Sequence, residues 1–125
     1  YQADIDVPEN IILLGKVSDQ KKLAQFYGMA DVTVLTSKKE TFSMVCAESL
    51  CCGTPVVGFK AGGPETIALP EYSEFVNYGD LNSLYSHINC FLNEARDKNK
   101  ISASAVRVYG SQYMTDKYID IYNSL

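Results

Sequence analysis

The chain has no tryptophan, one histidine and only four prolines in 125 residues. Its lone His87 has neither a second ligand nor a nucleophile partner close by, so it reads as a surface residue. No apolar run approaches the roughly 18 residues needed to span a bilayer, and Tyr1-Gln2-Ala3-Asp4 is no signal peptide. The missing initiator Met reads as an excised piece, and the compartment is expected to be cytoplasmic. Basic residues are scarce as well: 11 Lys and Arg against 15 Asp and Glu leave a net charge of -4. With no interleaving of aromatic and basic residues, that balance argues against binding bare nucleic acid. Repeats and low-complexity tracts are absent. What remains, 46% hydrophobic and 21% charged, is the composition of one soluble globular domain with a real core.

Cysteine is present but poorly arranged for crosslinking. Cys46, Cys51 and Cys52 fall in one helix-like stretch and Cys90 stands apart. That spacing suits neither a zinc site nor a disulfide framework, and all four are read as small buried hydrophobes of a reducing compartment. No metal ligand set is assigned.

Apolar periodicity alternates along the chain. Asn10-Ile11-Ile12-Leu13-Leu14-Gly15 is a continuous apolar run, the pattern of a strand buried on both faces. A helix capped by Ser18 or Asp19 follows, with Leu23, Phe26, Tyr27 and Ala30 at helical spacing. Asp31 to Ser37 reads as a second strand, and Gly53-Thr54-Pro55 stops the helix after it. Val56 to Phe59 is a third strand, and Ala61-Gly62-Gly63-Pro64 turns into a short helix with Pro64 in its first turn. Phe75 to Tyr78 predicts a fourth strand. Asp80 then caps a helix with the stripe Leu81, Leu84, Tyr85, Ile88, Leu92 and Ala95. From Ile101 the pattern is helical, broken near Gly110, with Met114, Tyr118, Ile121, Tyr122 and Leu125 on one face. Strand-helix order repeated four times implies an α/β fold: a Rossmann-like parallel sheet flanked by helices, with ligands beyond the carboxyl ends of the strands.

The loop at one such end carries Glu40, and Glu48 follows eight residues later. A helix opening near Thr41 would be apolar nearly all round through Phe42, Met44, Val45, Cys46, Ala47, Leu50, Cys51 and Cys52. It is expected to be buried, and a carboxylate in its body is costly unless paired. A helix entrance presents free N–H groups and a partial positive charge worth roughly 0.3–1 kcal/mol to an anion, and phosphate is its natural guest. Thr41, Ser43, Met44 and Val45 are the positions that can face it. Glu48 would lie about 10 Å along the axis at 1.5 Å per residue, where its carboxylate can accept from vicinal ribose hydroxyls. Glu40, on the other side of the phosphate, can bind hydroxyls of an attached sugar. The alternatives are a solvated loop carboxylate at Glu40 and a backbone-paired buried one at Glu48.

With its flanks, the segment resembles the retaining glycosyltransferases of family 4, the glycosyl transferases group 1, a large GT-B-fold family. The likeness runs through Gly28-Met29-Ala30-Asp31-Val32-Thr33-Val34-Leu35-Thr36-Ser37, then Glu40 to Leu50, then Cys52-Gly53-Thr54-Pro55-Val56-Val57-Gly58. It ends at Gly62-Gly63-Pro64-Glu65-Thr66-Ile67. The resemblance implies the donor-binding C-terminal half of a two-domain enzyme of polysaccharide biosynthesis, an incomplete half of a GT-B fold here. Residues 1–98 would be a partial nucleotide-sugar-binding domain and 99–125 a C-terminal helical segment.

By that likeness the donor is a nucleotide-diphosphate sugar, a substrate, with no cofactor. Glu40 is the implied catalytic residue and, with Thr41 and Phe42, holds the donor sugar; Ser43, Met44 and Val45 offer amides to the phosphate; Glu48 holds the ribose. Ser43 departs from the glycine many members carry after the motif's Phe. Gly62-Gly63 makes either a tight turn or a phosphate cradle, and the resemblance favours donor contact. Asp4-Ile5-Asp6 is similar to a metal signature of a different glycosyltransferase fold but lacks its context and reads as a solvated terminal run.

In the strand order 3-2-1-4-5-6 the chain supplies strands 3, 4, 5 and 6, so sheet edges are exposed and suit self-association. The acceptor domain is missing, and any peripheral membrane contact belongs to the intact enzyme. The chain alone is expected not to catalyse transfer. The rival reading is a non-catalytic nucleotide or phosphosugar-binding α/β module. A receiver-like scaffold would need an acidic cluster at the first strand end and a late lysine, which this order of motifs does not offer.

Overall fold

The computed structural model describes residues 6–125. Its framework is a three-stranded parallel sheet in the order β1-β2-β3, formed by Thr33–Leu35 (β1), Val56–Phe59 (β2) and Ser73–Val76 (β3). Thr33 pairs with Val56, and Val56 with Ser73. β2 is buried along its whole length, as a central strand covered on both faces must be. Val56 packs with Leu35, Cys46, Leu50, Ile101 and Ala105 on one side. Val57 and Phe59 pack with Val76 and Leu84 on the other. Each fully buried Val, Leu or Ile contributes roughly 1.5–3 kcal/mol.

The described residues form six α-helices, and short polar residues start four of them. Asp19 accepts from the amides of Lys21 and Lys22 to open α1, Gln20–Met29. Ser43 opens α2, Met44–Cys51. Pro64 occupies the first position of the short α3, Pro64–Ile67. Asp80 caps α4, Leu81–Asn93, and Asp97 caps α5, Lys98–Tyr109. Gly110 separates α5 from α6, Ser111–Asn123. α2 and α5 cover one sheet face, with Ile101 and Ala105 of α5 fully buried.

The structure corrects several expectations. Asn10–Gly15 is no strand: Ile12 and Leu13 are 81% and 75% exposed. In the expected order this run pairs only with a strand 2, and no described segment supplies one. The sheet therefore has three strands rather than four, β1-β2-β3 matching the 4-5-6 part of that order. The last strand also begins two residues earlier than expected, at Ser73, after a 3-10 turn at Pro70–Tyr72. The stripe of α4 is rotated. Leu84 and Ile88 face the core with Phe91, whereas Leu81, Tyr85 and Leu92 are exposed. The apolar residues of α6 are likewise exposed. Asp4 and Ile5 lie outside the described residues, and Asp6 is exposed.

The stop between α2 and β2 depends on Gly53. Its φ of 84° lies in the left-handed region, and a Cβ there would come within 2.5 Å of the Lys98 carbonyl oxygen. Both the conformation and the close approach exclude a side chain. Gly53→Ala is expected to destabilise the chain by about 3 kcal/mol, combining backbone strain with overpacking. Urea unfolding measures it, and a loss below about 0.5 kcal/mol, the level of an ordinary surface substitution, would contradict this account of the stop.

Candidate functional site

The β1-to-α2 loop sits beyond the carboxyl end of β1. Glu40 is fixed by its amide, which donates to the Ala61 carbonyl at 2.9 Å. The Gly62-Gly63 turn lies directly against it: a Cβ on Gly63 would approach the Thr41 carbonyl carbon to 2.7 Å and the Phe42 nitrogen to 2.8 Å. The amides of Ala61 and Gly62 donate to the Glu65 carboxylate at 3.0 and 2.8 Å. Burial pushes the Glu65 carboxyl up, but the amides of Ala61, Glu65 itself and Gly62 outweigh it and hold it below its ordinary value. Those donors are thus already engaged, and the turn buttresses the Glu40 loop.

α2 starts at Met44, not Thr41, so Thr41 and Phe42 belong to the loop and Ser43 is the cap. Ser43 has φ 72°, the one positive φ on a residue other than glycine among the described residues. This explains why glycine suits the position: a left-handed conformation costs an L-residue roughly 1–2 kcal/mol. Ser43 is buried, and its Oγ accepts from the Cys46 amide at 3.4 Å. The hydroxyl is thus engaged with the first turn of the helix. The Met44 and Val45 amides, in the first turn, lie where a helix supplies no carbonyl partner.

α2 is not buried all round. Cys46, Ala47, Ser49 and Leu50 face the core, while Phe42, Met44 and Val45 are 44%, 61% and 39% exposed. The physical reason is that α2 has the sheet and α5 on one side and only the flank of α1 beside it. Glu48 is half-buried and lies four residues past Met44, about 6 Å along the axis; the expectation of about 10 Å counts from a helix start at Thr41, which lies in the loop instead. Met44 and Glu48, four apart, share one face.

Two recesses flank the helix. An open one is lined by Lys39, Glu40, Thr41, Phe42, Ser43 and Met44. A cavity of about 290 Å³ between α1 and α2 is lined by Gln20, Leu23, Ala24, Tyr27, Glu48, Cys51 and Cys52. The structure therefore brings Glu40 through Met44 together, places Val45 beside them on the helix, and sets Glu48 in the adjoining cavity. Among the described residues no group of three or more His, Cys, Asp or Glu is placed to hold a metal ion. A separate cavity at the opposite end of the strands contains Asp31, Pro55, Phe91, Arg96 and Lys98.

The sequence did not single out Tyr27 for this site. Its hydroxyl donates to Glu48 Oε2 at 3.3 Å. Its place in the apolar stripe of α1 suggested a core residue, and its partner is 21 residues away. Burial first, then the Glu48 charge and hydrogen bond, push the phenol up to about 12. The thiols are raised as well. Cys46 is pushed to about 12 by burial and by the charge of Glu40, and burial raises Cys51 and Cys52. All four cysteines are free, but only Cys46 is buried as expected: Cys51 and Cys52 are half-buried and Cys90 is exposed. His87 is half-buried.

The described residues thus form an α/β domain with a parallel sheet, whose exposed helix entrance beyond β1 lies between Glu40 and Glu48. The chain overlays on the crystal structure of Anabaena Alr3699/HepE in complex with UDP with a TM-score of 0.62 at 23% identity, covering 81% of this chain and 29% of that one. The sequence profile of the glycosyl transferases group 1 matches residues 3–108, and the chain belongs to that family. It is 36% identical over 107 residues to a D-inositol 3-phosphate glycosyltransferase of Thermomonospora curvata, over 82% of this chain and 25% of that protein. It is 27% identical over 124 residues to an N-acetyl-alpha-D-glucosaminyl L-malate synthase of Bacillus anthracis, over 98% of this chain and 32% of that protein. The chain thus spans about a quarter to a third of the length of these relatives. No helix among the described residues is long and apolar enough to cross a membrane.

The Tyr27–Glu48 contact has a direct spectroscopic consequence. Glu48→Gln removes the charge that disfavours the phenolate, so the Tyr27 phenol is expected to titrate below 12 yet above its ordinary 10, because burial remains. The ring carbon Cζ shift, followed by NMR against pH, measures it. An unchanged titration would show that the two groups do not interact.

Proposed function

We propose that the chain is the donor-binding part of a glycosyltransferase that uses a nucleotide-diphosphate sugar as substrate, without a further cofactor. The carrying observation is the exposed first turn of α2, with the amides of Met44 and Val45 open and a glutamate recess on either side. The diphosphate lies at the amides of Ser43, Met44 and Val45. The half-charge at the helix entrance stabilises the negative charge that builds on the leaving diphosphate. Glu48 accepts from the ribose hydroxyls. Glu40, with Thr41 and Phe42, faces the donor sugar and acts at the reacting centre, and transfer proceeds with retention. The UDP in the solved relative is a nucleoside diphosphate of the kind this arrangement suits.

Acceptor binding then falls to a further domain, and the 125 residues alone do not catalyse transfer. The outer edge of β1 has no strand partner among the described residues. It takes a further strand from the rest of a longer chain or from a second copy.

Saturation-transfer NMR against UDP-, GDP- and ADP-sugars tests the assignment. At least one donor is expected to show saturated ribose protons, and Glu48→Ala is expected to weaken its binding about tenfold or more, the loss of hydrogen bonds to a charged acceptor. Ribose saturation that survives the substitution unchanged would remove Glu48 from the site.

A further inference from the structure

A carboxylate that serves two vicinal hydroxyls must be held in one rotamer, since a freely turning Glu loses side-chain entropy each time it binds. Glu48 projects from one helix only, yet Tyr27 reaches it from another. The two side chains line the same cavity of about 290 Å³. Among the described residues, Tyr27 is the one side-chain group that donates to Glu48.

The backbone beneath Tyr27 is unusually well fixed for the end of a surface helix. Its carbonyl accepts from the fully buried Thr54 hydroxyl at 2.6 Å. The Lys98 ammonium donates to the carbonyls of Gly28 and Ala30 at 2.7 and 2.6 Å. Thr54 follows directly on the stop of α2, so the same residues that end the Glu48 helix anchor the Tyr27 helix against it. The distance between the two is set by the fold.

We propose that Tyr27 is the positioning residue for Glu48: its hydroxyl holds Oε2 and leaves Oε1 turned to the cavity, where it accepts from the ribose of a nucleoside diphosphate. This inference rests on the ribose assignment made above. A neutral donor fits the task better than a cation. Arginine or lysine would pair with the carboxylate and draw it away from hydroxyl guests, whereas a phenol takes one lone-pair site and leaves the others free. The phenol stays protonated through the physiological range. The 3.3 Å separation is longer than the usual O–H···O distance of about 2.7–2.8 Å. Such contacts commonly tighten when the ligand arrives.

A tether between α1 and α2 would explain the same contact, and selectivity separates the two. The affinities of UDP, GDP and ADP, each beside its 2′,3′-dideoxy counterpart, are measured by NMR titration for the unmodified chain, Tyr27→Phe and Glu48→Ala. The ratio within each pair cancels the folded fraction, so a loss of stability does not obscure the result. Positioning predicts that Tyr27→Phe reduces the preference for the ribonucleotide about fivefold, the worth of a single hydrogen bond, with dideoxy affinity unchanged. A preference abolished by Glu48→Ala but intact in Tyr27→Phe overturns the inference and leaves the ribose assignment standing. Equal weakening of both nucleotides by Tyr27→Phe makes it a tether and also overturns the inference. A chain with no preference for any ribonucleotide, or one whose preference survives Glu48→Ala, removes the ribose assignment and the inference together.

Discussion

Thr54 is fully buried, and its hydroxyl donates into the end of α1 while its carbonyl accepts from Ser49 of α2 at 3.0 Å. Ser49 also meets the Thr33 hydroxyl of β1 at 2.8 Å. One three-residue stop, Gly53-Thr54-Pro55, thus joins α1, α2 and β1, and Gly53 lies against the start of α5. Each polar group left unpaired there would cost roughly 1–3 kcal/mol, so the network holds as a unit. It sets the angle at which α2 leaves the sheet, and with it everything that depends on the entrance of α2.

That entrance combines two local features of opposite sign. Ser43 adopts a left-handed conformation that disfavours it, and its hydroxyl caps the Cys46 amide, which favours it. The Gly62-Gly63 turn packs on the Thr41–Phe42 backbone from outside, and the Glu65 carboxylate fastens the turn through two amides. The loop that carries Glu40 is thereby braced on both sides before any ligand arrives. Under the proposed function such bracing spares the entrance a reorganisation cost when charge develops on a bound diphosphate.

Much of this was legible in the sequence where one short-range rule governs. Asp19, Asp80 and Pro64 begin helices because a side-chain acceptor or a fixed φ suits a helix start. Gly53 ends one because of its backbone freedom, and Val56 to Phe59 is a strand because both its faces are covered. The misreadings fall where burial depends on a distant neighbour. Ile11 to Leu14 is apolar enough for a central strand, but strand formation needs a paired edge that the sequence pattern cannot see. In α4 the series Leu84, Ile88, Phe91 and the series Leu81, Tyr85, Leu92 both fit helical spacing, and only the sheet decides which turns inward. The candidate site divides the same way. Glu40 and Glu48 stand out from their local context and from the family likeness, whereas Tyr27 enters the site through a contact across 21 residues.

The central claim is that the first turn of α2 seats the phosphates of a nucleotide. Amide NMR of the uniformly labelled chain, titrated with UDP, GDP and ADP, addresses it most directly. At least one nucleotide is expected to shift the Met44 and Val45 amides most strongly, with Glu48 and Tyr27 next and the Arg96–Lys98 cavity unmoved. Shifts confined to that opposite cavity, or Met44 and Val45 amides that stay in place while a nucleotide binds, would contradict the account.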